Sequence, residues 1–271
     1  GRMIFTVKND FMISALLVNP DRCMSVTISS NEKNCNPIYH GIKDRCTRES
    51  LLCRRTSMKE MLSSHDYMHS ILSLHSKWGI GHMTEHFLPD DLFHEILDLL
   101  KSSNDELFFD EDHLCYLHSM TQRTLAESEI DLFIYCQALS DLVVDGNLDF
   151  YDQKVHLTLS QRKKYFNHLL HVFETNSNLT FKLAKEPMIL DFKYQTNQCI
   201  FLSDQFSYIR LNTYNWANNL AIINHPNLKH MFDRFFNAVW NDATSELLSD
   251  YSEIHSFFVH IIQQINILSE I

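Results

Sequence analysis

The chain has 271 residues, enough for one large domain or two ordinary ones. Hydrophobic residues make up 45% and charged ones 21%, a globular balance, and the 5 Gly and 5 Pro argue against an all-β sandwich, a Gly-rich nucleotide fold or low-complexity material. A net charge of −11 excludes broad nucleic-acid affinity for this chain by itself, because phosphate contacts need a basic surface.

The first thirty residues alternate as strands do: Ile4/Thr6/Lys8, then Phe11/Ile13/Ala15/Leu17, then Met24/Val26/Ile28, with a turn at Asn19-Pro20-Asp21. The polar stretch from Ser29 to Pro37 reads as a loop. A helix is predicted from Thr56 to about Lys77, with Met58, Met61, Leu62, His65, Met68, His69, Leu72 and His75 on one stripe. Trp78-Gly79-Ile80-Gly81 stops it, and Pro89-Asp90 opens another whose buried side is Leu92, Phe93, Ile96, Leu97 and Leu100. Ser102-Ser103-Asn104-Asp105 is the clearest interior break.

Further helices follow from Glu111. Ile130 to Val144 is apolar nearly all round and reads as a central helix, stopped by Asp145-Gly146-Asn147. Ser160 is placed to cap a helix bearing Tyr165, Phe166, Leu169, Leu170 and Phe173, and Arg162-Lys163-Lys164 in its first turns is expected at the surface. An antiparallel meander is predicted over 179–211, from Leu179/Phe181/Leu183, Leu190/Phe192/Tyr194, Cys199–Leu202 and Phe206–Leu211.

The strongest amphipathic stretch is His225 to Trp240. Leu228, Met231, Phe232, Phe235, Phe236, Val239 and Trp240 fall at i, i+3, i+4, i+7, Pro226 suits the first turn, and Asn224 is the expected cap. Asp250-x-x-Glu253 resembles a capping box for a last helix with Ile254, Phe257, Phe258, Ile261, Ile265 and Leu268 on one side. The expected fold is α+β: mainly helical, with a strand-rich amino-terminal segment and a small antiparallel meander packed under two carboxyl-terminal helices. Residues 1–104 form the first unit and 105–271 a sensor-like second one.

Charge is spread unevenly, with 10 Lys/Arg against 6 Asp/Glu over 1–60 and 2 against 11 over 101–150, most simply as solvated surface. The 7 Cys are scattered without CxxC pairs, which fits reduced thiols in a cytosol. No apolar run reaches membrane-span length and no signal peptide opens the chain, so a cytoplasmic location without membrane contact is expected.

His82-Met83-Thr84-Glu85-His86 matches the H-x-x-E-H of inverted zinc peptidases, in which two His at i, i+4 hold Zn²⁺ and the Glu acts as base. Gly79, Gly81 and Pro89 leave under two turns of helix for it, and no third ligand stands out. A metal shared among His65, His69, His82 and His86 is the wider form of this alternative, a metal-dependent hydrolase. There is no G-x-S-x-G, no recognisable cysteine-protease context and no phosphate-cradling Gly loop. No catalytic group, metal or cofactor is therefore assigned.

The aromatic side chains near the predicted meander, Phe192, Tyr194, Phe201, Tyr208, Tyr214, Trp216 and Trp240, are the expected lining of a ligand pocket, the alternative being plain core. The order of a helix over 160–175, a meander, a helix carrying Phe235, Phe236 and Trp240, and an Ile-rich last helix resembles the sensory or effector halves of bacterial transcriptional regulators, particularly those of low-GC Gram-positive organisms. The likeness covers about 110 residues and lacks the helix-turn-helix with which such regulators bind DNA. It implies a ligand-sensing, homodimerising module with a small-molecule effector and no nucleic-acid contact of its own, the other alternative being a plain protein-interaction module.

Overall fold

The alternation of the first thirty residues becomes a three-stranded antiparallel sheet of β1 (Arg2–Thr6), β2 (Met12–Asn19) and β3 (Arg22–Ser29), in that order. The coordinates are a computed structural model, and the residues described are 2–19, 22–48, 53–64, 66–102, 110–185, 198–211, 219–241 and 247–270. Chain contacts divide the molecule into Gly1–Leu52 and Cys53–Ile271. In the first unit the polar stretch expected as a loop enters α1 (Glu32–Arg48). Asn31 starts it, its side chain accepting the Lys33 N–H at 2.9 Å, and polar composition alone did not reveal that cap. Asn9, in the left-handed region at φ 61°, donates its N–H to Asn36 Oδ1 at 3.1 Å and ties the β1–β2 turn to α1.

The second unit runs β4 (Cys53–Thr56), α2 (Met58–Ser63), α3 (Asp66–Ile71), β5 (His75–Ile80), a 3-10 turn (Glu85–Phe87), α4 (Asp90–Ser102), α5 (Glu111–Glu127), β6 (Glu129–Tyr135) and α6 (Cys136–Asp145). It continues with β7 (Asn147–Phe150), β8 (Gln153–His156), α7 (Leu159–Thr175), β9 (Leu179–Ala184), β10 (Cys199–Ser203), β11 (Tyr208–Arg210), β12 (Leu220–Ile223), α8 (Pro226–Trp240), β13 (Leu247–Leu248) and α9 (Tyr251–Ser269). Among the described residues these strands form an eight-stranded mixed sheet, in the order β13-β9-β6-β5-β10-β11-β12-β4, and a separate β7–β8 hairpin. The class is α+β. Residues 53–104, grouped with the amino-terminal segment in the sequence reading, supply two strands of the large sheet.

The interior of that sheet is parallel. β5 pairs with β6, and β6 with β9, in parallel register, whereas β10, β11, β12 and β4 continue it antiparallel. Two predicted helices give way to this arrangement. The Thr56–Lys77 stretch breaks into α2, α3 and β5. Ile130–Val144 splits at Tyr135 into β6 and α6. A strand buried on both faces shows no alternation, so its apolar run has the same sequence pattern as a buried helix. The predicted meander is likewise divided: β9 pairs with β6 and β13 and not with β10, and among the described residues β10 and β11 make the expected antiparallel pair. The predicted strand at Leu190/Phe192/Tyr194 lies outside the described residues.

Alternation assigns the faces. On one, Trp78, Leu132 and Phe181 are neighbours, and Phe181 meets Phe173 of α7 and Phe258 of α9 at ring centroids 5.0 and 6.0 Å apart. On the other, Gly79, Phe133 and Lys182 are neighbours, and Phe133 meets Phe236 of α8 at 5.0 Å. The last two helices therefore lie on opposite faces of the sheet rather than together over a meander. α9 buries Ile254, Phe258, Ile261 and Ile265. α8 buries Phe236 alone; Leu228, Phe232, Phe235, Val239 and Trp240 are half-buried and Met231 is exposed.

The local signals hold with small shifts. His225, not Asn224, caps α8, accepting the Asn227 N–H, with Pro226 in the first turn. Thr158, not Ser160, caps α7 in a reciprocal capping box with Gln161. Gly146 ends α6 at φ 68°, and a Cβ there would sit 2.1 Å from Arg162 Nη2. Arg162 is correspondingly buried, not exposed: it donates to the Leu157 and Val143 carbonyls at 2.9 and 2.7 Å, satisfying the end of α6. No helix among the described residues is long and apolar enough to cross a membrane.

Candidate functional site

At the carboxyl ends of the parallel strands, where open α/β sheets place their ligands, five segments converge. β5 leads through Gly81 into His82 and the 3-10 turn of Glu85 and His86. The β7–β8 hairpin brings Asp149 and Asp152, held to the first segment by the Asp149 N–H donating to the Met83 carbonyl at 3.0 Å. β10 contributes Cys199 at its start, β11 Arg210 at its end, and α3 Tyr67. The hairpin turn puts two non-glycine residues in the left-handed region, Tyr151 at φ 48° and Asp152 at φ 69°. Such backbone is costly and persists where its surroundings hold it. Here the Tyr151 N–H donates to Glu85 Oε2 at 3.2 Å and the Asp152 N–H to Asp149 Oδ1 at 3.0 Å.

Arg210 is the centre of charge. It is 0% exposed, with Nη1 2.9 Å from both Glu85 oxygens, Nε 2.9 Å from Asp149 Oδ2, Nη2 2.7 Å from Asp149 Oδ1, and Asp152 Oδ1 at 3.7 Å. Burial pushes the Glu85 carboxyl up, but Arg210 outweighs it and the net direction is down. Asp149 follows the same rule: burial opposes ionisation, Arg210 and His82 favour it, and its pKa falls to about 2. Asp152, further from the guanidinium, is raised by burial. The carboxylates in turn hold Arg210 charged against its own desolvation. Removing one partner of such a buried pair costs about 3–5 kcal/mol, while a well-packed apolar replacement of the whole is often neutral. A cluster of this kind is weak evidence for stability and stronger evidence for a site.

His82 is gripped at both ring nitrogens. Nδ1 lies 3.4 Å from Cys199 Sγ and Nε2 lies 3.2 Å from Asp149 Oδ2. The thiol also has the His82 carbonyl as acceptor at 3.3 Å. Burial works against charge on the ring, but Cys199 and Asp149 raise its pKa to about 10, so His82 carries a proton at neutral pH. A thiol, an imidazole and a carboxylate in line have the arrangement of a nucleophile, its proton carrier and an orienting group. Cys199 is buried, and His82 forms part of the wall of a crevice of about 210 Å³ with Met83, Ala138, Asp141, Asn147 and Lys154.

The H-x-x-E-H segment is therefore not a zinc motif on a helix. His82 sits in the loop after β5, Glu85 is bound to Arg210, and His86 turns to Thr84 Oγ1 at 2.8 Å and Tyr67 Oη at 3.3 Å. Burial lowers the His86 pKa to about 4 and keeps that ring neutral. His69 is exposed, His75 pairs with Glu129 at 2.7 Å, and His65 lies outside the described residues. Among the described residues no three His, Cys, Asp or Glu side chains converge as a metal would require.

Of the predicted aromatic lining, Phe192, Tyr194, Tyr214 and Trp216 lie outside the described residues. Phe201 and Tyr208 are buried and stacked 4.7 Å apart on the face that also carries Trp78 and Arg210. Trp240 belongs to the opposite face, stacked on Phe236 with Lys182 Nζ 4.3 Å from its ring centre. The sheet separates them, so Trp240 does not share a pocket with Phe201 and Tyr208. A polar cleft of about 560 Å³ lies at the amino ends of β5, β6 and β9, where Lys77, Asp131, Lys229 and Asp233 line it.

Cys199, Asp149 and Arg210 carried no signal in the sequence, and His82 was singled out for a different chemistry. Cys199 and His82 are 117 positions apart and Arg210 and Asp149 are 61 apart, and no short motif links them. Comparison of the chain with protein-family models, with curated proteins and with solved structures finds no match.

Proposed function

We propose that the chain is a thiol-dependent enzyme of acyl transfer or hydrolysis, with Cys199 as nucleophile, His82 as proton carrier and Asp149 as the group that orients the imidazole. The observation that carries this reading is the double engagement of His82, by Sγ at Nδ1 and by a carboxylate at Nε2. Arg210 holds both oxygens of the Asp149 carboxylate, sharing Oδ2 with His82, and keeps it ionised. As Sγ bonds to a carbonyl carbon, the thiol proton is held by His82 and the carbonyl electron pair moves onto oxygen. Collapse expels an amine, alcohol or thiol, which takes the proton from His82. Water, giving its proton to His82, then splits the thioester and restores the thiol.

The test is acylation by an activated ester, followed by mass spectrometry of the intact chain and its peptides. One acyl group on Cys199, lost in Cys199→Ala and in His82→Ala but not in Cys53→Ala, supports the reading. Turnover undiminished in Cys199→Ala overturns it.

A second reading, a ligand-sensing and homodimerising module of a cytosolic bacterial regulator, is favoured by the polar cleft and by the incompletely covered stripe of α8. Lys77 of β5 reaches Asp233 of α8 at 3.5 Å in that cleft, and Lys229, one turn before Asp233 on the same helix, lies 3.8 Å from it, a polar lining that suits a small polar effector. A small-molecule thermal-shift screen with Lys77→Ala as control tests the effector, and a strict monomer by light scattering removes the dimer.

A further inference from the structure

The cleft at the amino ends of β5, β6 and β9 encloses about 560 Å³, a volume typical of small-molecule sites. Its floor is one row across the sheet: Lys77 of β5, Asp131 of β6 and Thr180 of β9 are register neighbours. Alternation puts this row on the face of Gly79 and Phe133, the face that α8 covers, and Lys77 Nζ lies 5.9 Å from the centre of the Phe236 ring. From α8 the cleft receives Lys229 and Asp233, which stand at i and i+4 and so share one side of the helix.

These charges form two poles. At one, Asp233 lies 3.5 Å from Lys77 and 3.8 Å from Lys229, so two ammonium groups share a carboxylate at more than hydrogen-bond distance. Asp204, 3.7 Å from Lys229, is 85% exposed and offsets little of that charge. At the other pole Asp131 is half-buried and, among the described residues, has no hydrogen bond or ion pair. Ion pairs elsewhere on the chain close fully, Arg54–Asp66 and Arg123–Glu127 at 2.9 Å. Burial pushes the Asp131 carboxyl up against the pull of Lys77 and Lys182, so a further cation beside it favours its ionised form.

We infer that this cleft binds a small zwitterion of the free amino-acid class, its carboxylate facing Lys77 and Lys229 and its ammonium facing Asp131 and Thr180. A dipolar cleft is matched by a dipolar ligand, whereas a plain amine or a plain acid leaves one pole unanswered. The inference rests on the ligand-sensing reading above, names the class of its effector, and makes no use of Cys199.

The experiment titrates the full chain with each of the common amino acids in turn by isothermal titration calorimetry. The amine and the carboxylic acid that correspond to the tightest binder are titrated beside it. At least one amino acid is expected to bind, with both truncated analogues weaker by roughly tenfold or more, because each loses hydrogen bonds to a charged group. Asp131→Asn and Lys229→Gln are each expected to weaken the amino acid by a similar factor. Lys229→Gln changes a half-exposed helix position and carries the test if Asp131→Asn does not fold. Binding undiminished in the folded variants overturns the inference, since the amino acid then sits elsewhere. An amine or an acid that binds in the cleft as tightly as the amino acid overturns the zwitterion and leaves an effector cleft standing. So does a chain that takes up no amino acid but binds another small molecule in a Lys77-dependent way. A chain that binds nothing in either screen overturns both the inference and the effector reading beneath it.

Discussion

The ring of Phe133 occupies the space that a side chain at Gly79 would need. A Cβ built at Gly79 falls 2.6 Å from Phe133 Cζ, and the two residues are partners across the parallel β5–β6 pair. Phe133 in turn carries Phe236, the single buried residue of α8, so the absence of a side chain at position 79 decides how that helix seats on the sheet. Gly79→Ala is expected to destabilise by about 1–3 kcal/mol through overpacking, read as a lower urea midpoint at unchanged m. Phe133→Leu in the same chain should recover part of the loss, because the clash is with a side chain rather than with backbone.

Arg210 gives a prediction with two arms. Arg210→Met leaves Glu85 buried without its guanidinium and Asp149 with His82 as its remaining cation, and should cost about 3–5 kcal/mol. Adding Glu85→Gln and Asp149→Asn removes the stranded charges, so the triple variant should be more stable than the single one. Equal loss in both would mean that packing, not charge, makes Arg210 matter.

The pH dependence of stability follows from three groups. His82 is raised from 6.5 to about 10, so its contribution is complete below 6.5 and is lost as pH rises through about 10. His86 is lowered from 6.5 to about 4, so its contribution is complete above 6.5 and is lost as pH falls through about 4. Asp149, lowered from 3.8 to about 2, adds a further loss as pH falls through about 2. Stability is therefore expected to peak near pH 6.5 and to decline on both sides. Denaturant midpoints measured across the range check this, and His82→Gln should flatten the alkaline limb and weaken the acid limb below pH 3.8, because His82 also helps to hold Asp149 down.

The cap of α9 is a local test. Asp250 accepts the Ser252 and Glu253 N–H groups at 2.9 and 3.3 Å, and both would be orphaned in Asp250→Ala. A loss of about 1 kcal/mol is expected. Asp250→Ser should retain most of it, whereas a variant indistinguishable from the parent would mean that the helix end frays in any case.

What could be read in the sequence was what neighbouring residues decide among themselves. Pro226 in a first turn, Gly146 after a last one, Asp250 before Ser252 and Glu253, and the stripes of α4 and α9 are settled within four positions, and the α+β class follows from them. β6 escaped this reading because a strand covered on both sides loses the alternation that marks it, and β5, polar over His75–Lys77 and carrying Gly79, has too few apolar residues to show a pattern; the pairing of His75–Ile80 with Glu129–Ile134 reveals both. The stripe of α8 misled for a related reason: its periodicity is helical, but which of its side chains are covered depends on Gly79 and Phe133, far away in the chain. The candidate site was decided by tertiary structure alone. An arginine and the carboxylates around it tolerate burial only together, and none of them carries in its own stretch of sequence any mark of the partners that make burial possible.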